Sequence, residues 1–126
     1  MRETIDVIRI AGALAQHAGH RQSIAARNVA HADTPGYRAS DLTPFTIDVQ
    51  SDLHLRRTRP SHQHFDQISS FAEALDLDAS VSPNGNSVSL EREMLRSVEI
   101  RQQHDLALSV YRSTLGVLRT SLGRGR

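Results

Sequence analysis

The feature that most constrains this chain is a seven-residue repeat at each of its ends. Between about Thr4 and Ala32, the residues Ile5, Ile8, Gly12, Ala15, Gly19, Gln22, Ala26 and Val29 follow one another at alternating spacings of three and four. That spacing lines up one face of an α-helix. Ile10 and Leu14 form a shoulder beside the stripe. Its centre is made of alanine and glycine, and each glycine costs an exposed helix about 1 kcal/mol relative to alanine. Such a helix is weak alone and needs a partner.

The second repeat runs from about Ser89 to the C-terminal end. Leu90, Met94, Ser97, Arg101, His104, Leu108, Tyr111, Leu115, Leu118 and Leu122 keep the same spacing, with Leu95, Val98, Val110 and Val117 widening it. Ser89 suits an N-cap, and Glu91 and Glu93 fall in the first turn, where the helix dipole favours negative charge. At 1.5 Å per residue the helix would be about 50 Å long, and so long a heptad pattern points to a coiled coil. The expected fold is mainly α, with long N- and C-terminal helices pairing as a coiled coil. The positions expected to carry packing or assembly are Ile5, Ile8, Ala15 and Val29 in the first helix. In the second they are Leu90, Met94, Leu108, Tyr111, Leu115, Leu118 and Leu122. Ser97, Arg101 and His104 interrupt the stripe. Two readings stay open for them: a solvent-facing stretch, or a polar segment that selects a neighbour.

Three segments follow: residues 1–36 with the first helix and its end, 37–87 as an irregular middle, and 88–126 with the last helix. In the middle, Phe45, Ile47, Val49, Leu53 and Leu55 all occupy odd positions, which is compatible with a short β-hairpin. Phe71, Ala74 and Leu75 are compatible with one short helix, and Ser82-Pro83-Asn84-Gly85-Asn86-Ser87 is dense in turn formers. The middle holds too few apolar residues for a core of its own, so it is expected to order late or against neighbours.

Composition removes several functions. The 15 basic and 14 acidic residues leave a formal charge of +1, without the cationic surplus of a nucleic-acid binder. No cysteine is present, which rules out disulfides, thiolate metal sites and cysteine nucleophiles. The opening Met1-Arg2-Glu3-Thr4-Ile5-Asp6 lacks the apolar core of a cleavable secretory signal. His17 and His20, three apart on the first helix, and His62 and His64 invite a metal site, but no complete ligand set accompanies them. Serine, histidine and aspartate occur without a nucleophile motif, so neither an enzyme, nor a cofactor, nor a metal is expected.

The most informative stretch is Asn28-Val29-Ala30-His31-Ala32-Asp33-Thr34-Pro35-Gly36-Tyr37-Arg38-Ala39. Pro35 disfavours helical geometry at Thr34, and Thr34-Pro35-Gly36-Tyr37 suits a type II turn with glycine where positive φ is required. Asn28 and Asp33 offer short acceptors to the turn backbone. Read by physics alone, this is a well-made helix stop.

The same residues resemble the N-terminal signature of the bacterial flagellar basal-body rod protein family, together with the related hook and filament-joining proteins. The resemblance runs on through Asp41 and Phe45, Thr58, Pro60 and His62, and Asn84-Gly85-Asn86-Ser87-Val88, to Leu90-Glu91-Arg92-Glu93-Met94. Short length and the order of these landmarks are most similar to the proximal rod members. The family usually has a second asparagine where His31 stands, and Thr46 to Arg57 match it poorly.

The resemblance implies a structural subunit of the proximal rod, built into a tube by its terminal helices. Implied partners are copies of itself, other rod proteins, the membrane-ring protein, the ring–rod adaptor and the flagellar type III export apparatus. The implied location is the rod within the periplasm, reached without a cleaved signal. Asn28, His31, Asp33, Thr34, Pro35, Gly36 and Tyr37 are the junction residues it singles out. A cytosolic coiled-coil adaptor is the alternative, and it leaves the junction and Asn84-Gly85-Asn86 as coincidences.

Overall fold

A computed structural model describes residues 2–46, 73–75 and 80–123. Helix α1 spans Arg2–Ala30, strand β1 Ser40–Leu42, strand β2 Glu73–Leu75 and helix α2 Leu90–Leu122. Among the described residues no helix is long and apolar enough to cross a membrane. The two long helices are the ones the repeats foretell. Ser89 is the N-cap of α2, with extended φ and ψ of −112° and 118° and its side chain accepting from the Arg92 amide. At the other end the Gly123 N–H closes on the Arg119 carbonyl at 2.7 Å.

The helices pack antiparallel. The end of α1 meets the start of α2 through the Asn86 side chain, while Leu14 and Gln103 border one cavity further along. Their seam repeats at seven-residue intervals, with alanine at each of these positions on α1. Ala11, Ala18 and Ala25 are buried on α1, and Glu93, Ile100 and Ala107 on α2; Ala18, Ala25 and Ile100 form the central cluster. Alanine at the contact lets two helix axes approach closely, since side-chain size sets their separation.

This seam corrects the expected one. It runs one residue ahead of both stripes, on 11, 14, 18, 21, 25 and 28 in α1 and on 93, 96, 100, 103 and 107 in α2. Ile5, Val29, Leu90, Met94 and Leu122 therefore stand outside it, from 44% to 73% exposed. Ile8, Ala15, Leu108, Leu115 and Leu118 are half-buried at its margin, and Tyr111 is exposed. The cause is that polar residues with private partners occupy the seam. A hydropathy pattern assigns Arg21, Asn28, Glu93 and Arg96 to solvent, whereas the fold gives each an internal partner, although the second oxygen of Glu93, Oε2, is buried without one.

β1 and β2 pair antiparallel, with Ser40 opposite Leu75, Asp41 opposite Ala74 and Leu42 opposite Glu73. The helix expected around Phe71, Ala74 and Leu75 is thus replaced at 73–75 by a strand, because three apolar positions cannot hold a helix against a ready-made edge at 40–42. Phe71, and the hairpin expected from Ile47 to Leu55, lie outside the described residues. On the flank of α1 beside the seam, His17 and Ile24 are buried. His17 Nε2 lies 2.9 Å from the Thr43 carbonyl, and its ring meets Phe45 at 5.6 Å between centroids.

Candidate functional site: a polar knot between the helix ends

Where α1 stops, its last turn is tied to the segment that precedes α2. Pro35 and the turn after it prevent the helix from continuing. The Tyr37 N–H reaches the Thr34 carbonyl at 3.3 Å, and Gly36 takes φ +73°, the conformation the sequence assigns to it. The final α1 carbonyls of Arg27, Asn28 and Val29 accept from the His31 and Ala32 amides, and the carbonyls of the turn beyond them have room for further donors.

Asn86 supplies them. Its side-chain Nδ2 stands 3.0 Å from the His31 carbonyl, 2.7 Å from that of Ala32 and 2.8 Å from that of Thr34. One amide carries two hydrogens, so three acceptors share them. The opposite end of the same side chain, Oδ1, accepts the Val88 N–H at 2.7 Å. A residue 2% exposed thereby connects the end of α1 to the approach to α2.

Asn28 plays the matching part from the helix side. Its Nδ2 donates to the Ser40 carbonyl at 2.8 Å, and its Oδ1 accepts the Ser40 N–H at 3.3 Å, as a neighbouring strand would. The Tyr37 hydroxyl donates to the same oxygen at 3.4 Å. Backbone pairing completes the knot. The Gly36 N–H reaches Asn84 O at 3.0 Å, the Ser87 N–H reaches Tyr37 O at 3.0 Å, and the Ala39 N–H reaches Ser87 Oγ at 2.8 Å.

Gly85 sits against Gly36 with φ +80°, and a Cβ there would lie 3.3 Å from the Gly36 Cα. Gly85→Ala should therefore cost about 1–2 kcal/mol through left-handed strain and crowding, read as a lowered denaturation midpoint with helix content retained. His31, in the place of the family's usual asparagine, stacks on Tyr37 with centroids 4.6 Å apart and 20° between planes. Its Nδ1 lies 3.3 Å from Thr34 Oγ1. Asp33, Thr34 and Pro35 are exposed.

A second polar cluster lies one helix turn or two deeper. Arg21 grips Asp41 in a bidentate fork, Nε to Oδ1 at 2.8 Å and Nη2 to Oδ2 at 2.7 Å. Arg96 of α2 reaches the same carboxylate at 3.2 Å and Glu93 at 2.6 Å. Asp41 thus ties α1, α2 and β1 together. Burial opposes its charge, but the Arg21 hydrogen bonds, the Leu42 amide and the two guanidinium charges prevail and hold its carboxyl below the usual range. The Arg21 guanidinium is raised in turn, chiefly by its hydrogen bonds to Asp41.

Sequence reasoning named Asn28, Gly36 and Tyr37, which the knot brings together, but assigned no role to Asn86, Ser87, Arg21 or Arg96. A signal for Asn86 existed: an asparagine beside a glycine, just ahead of a helix, is a common source of side-chain capping. His17 faces Thr43, while its supposed metal companion His20 is exposed.

Long terminal helices tied at one end, with large apolar residues left outside their seam, define the class: a helical building block of a larger assembly. Comparison with known proteins identifies the lineage. No family model matches the chain. It is 30% identical over 118 residues to the flagellar basal body rod protein FlgB of Agrobacterium fabrum strain C58, covering 88% of each chain. It is also 32% identical over 107 residues to FlgB of Salmonella typhimurium strain LT2, covering 75% of this chain and 77% of the relative. Against FlgB of Bacillus subtilis strain 168 the figures are 23% over 109 residues and 84% of each chain. The chain belongs to the FlgB family of flagellar basal body rod proteins.

Proposed function

We propose that this protein is a structural subunit of the proximal part of the flagellar rod, and that it assembles through its two terminal helices. It joins the membrane ring and its adaptor to the remainder of the rod, on the periplasmic side of the inner membrane. It reaches that place through the flagellar type III apparatus without a cleaved signal. It performs no catalysis and needs no cofactor.

The observation that carries this reading is the set of large apolar side chains outside the helix seam. Met94, Leu95, Val98, Val117 and Leu122 of α2 are each 60% exposed or more. A monomer gains little from them there, whereas large apolar side chains left outside a seam suit contact with other chains. The knot supports the reading in a second way. It joins residues 28–40 to residues 84–88 across the middle segment, so the helices pair only once α2 has been delivered as well. A chain passed through a narrow channel unfolded can close in this manner on arrival.

Deleting the gene and imaging the cell envelope tests the proposal. The expected result is membrane rings without rods or hooks and loss of swimming. The intact gene should restore both, and a gene lacking residues 89–122 should restore neither. Normal flagella in the deletion strain would overturn the rod assignment in favour of a cytosolic coiled-coil adaptor.

A further inference from the structure

The apolar residues that α2 leaves outside the seam fall on two separate sides of the helix. At about 100° per residue, Leu95, Leu106, Val110 and Val117 gather into one ridge. Arg101 and His104 lie roughly 150° away around the same helix, with Val98 between the two sides. There they meet α1 to form a groove of 520 Å³, floored by Ala18 and Ile100.

The α1 wall of this groove is missing a side chain. Gly19 lines it, and a Cβ built on Gly19 would meet nothing within 4 Å; the same is true of Gly12, seven residues earlier on the same face. Neither backbone is in the left-handed region, so no turn requires glycine. Within the monomer these glycines only weaken α1. They do, however, leave that stretch of the α1 surface open.

Charge is matched between the two surfaces. The exposed Glu99 sits in the middle of the ridge, between Leu95 and Leu106, whereas Arg101 and His104 line the groove. Ridge and groove thus carry opposite charges at Glu99 and Arg101 but lie on different sides of one helix. A copy cannot satisfy its own groove with its own ridge.

We propose that the α2 ridge of one copy, Leu95 to Val117, docks in the α1–α2 groove of a second copy, with Glu99 against Arg101. The contact is heterologous: each added copy leaves one ridge and one groove open. Such a contact propagates into an open helical array and does not stop at a dimer. This rests on the rod-subunit reading above and names the surface by which copies meet.

A charge exchange tests it on the purified full-length chain by analytical ultracentrifugation. Glu99→Arg makes ridge and groove both positive, and Arg101→Glu makes both negative. Each variant alone should lose self-association at least tenfold relative to the unaltered protein. An equimolar mixture should recover it, because every contact then joins opposite charges. Circular dichroism of each variant checks that the helix pair is intact, which matters for Glu99 because its charge also acts favourably on Arg21. Gly19→Leu, which fills the groove without touching the seam, should abolish association while leaving the monomer folded.

Unaltered self-association in the single variants, or no recovery on mixing, would overturn this contact and leave the rod assignment standing. Absence of self-association by the unaltered chain up to millimolar concentration would overturn both this contact and assembly through like copies. Loss of rods in the deletion strain remains an independent measure of the rod assignment itself.

Discussion

Replacing Asn86 with alanine should lower the stability of the helix pair by about 3 kcal/mol, the largest loss expected of any single polar substitution outside the cluster around Asp41. One side chain serves four backbone groups, the carbonyls of His31, Ala32 and Thr34 and the N–H of Val88. Alanine would strip the Ala32 carbonyl and the Val88 N–H of this partner in a place water reaches only in part, while the His31 and Thr34 carbonyls would keep the Thr34 and Tyr37 amides. Unsatisfied buried polar groups cost on the order of 1–3 kcal/mol each, and partial hydration reduces the total. Asn86→Asp is the sharper test, because it preserves size and shape. A carboxylate has no donor, so three carbonyl oxygens would face a negative charge. The aspartate variant should be less stable than the alanine variant. Urea denaturation followed by circular dichroism measures both, and equal stability of Asn86→Asp and the unaltered protein would contradict the capping role.

Asp41→Asn is expected to cost about 2 kcal/mol and to change the response to acid. Removing one member of a buried charge cluster leaves the others uncompensated, at roughly 3–5 kcal/mol when burial is complete. The Asp41 side chain keeps 18% of its exposure and the guanidinium of Arg21 19%, so solvent screens part of that loss. The pH dependence follows from the direction of the Asp41 shift. Its carboxyl titrates lower in the folded chain than the ordinary value of 3.8. The stabilisation is therefore complete above that ordinary value and disappears as pH falls through the depressed folded one. The gap between the unaltered protein and Asp41→Asn should be constant from pH 5 to 8 and close below about pH 3.8. A gap that widened on acidification would have the wrong sign for this cluster.

Much of the architecture was legible in the residues. Both helices, the Ser89 cap and the positive φ of Gly36 follow from spacing, capping preference and turn chemistry, all of which are local. What was not legible is tertiary. The seam lies one residue from the apolar stripe because Arg21, Asn28, Glu93 and Arg96 are polar by type, yet find partners in Asp41, Ser40 and one another. No periodicity in hydropathy reports a partner such as Asp41, which stands 20 residues from Arg21 on another element. The strand at 73–75 was hidden for the same reason, since its pairing edge lies at 40–42 and its own apolar content is slight.

The same offset gives the apolar stripe a different meaning. Leu90, Met94 and Leu122 read as seam when α2 is considered alone, but the seam is filled by alanine and by paired charges. The large apolar residues are then left for something other than this chain's own fold. Gly12 and Gly19 fit the same pattern, as they weaken α1 and leave space that none of the described residues fills within 4 Å. The knot and the Asp41 cluster tie the helix pair together, while large apolar residues lie on its outer faces.

The most direct measurement is electron cryomicroscopy of basal bodies purified from cells that make this chain, with mass spectrometry of the same preparation. The rod-subunit reading expects an antiparallel helix pair, closed at one end by the Asn28–Asn86 knot, repeated in the rod next to the membrane ring. A complete rod accounted for by other subunits, from a preparation lacking this chain, would contradict it.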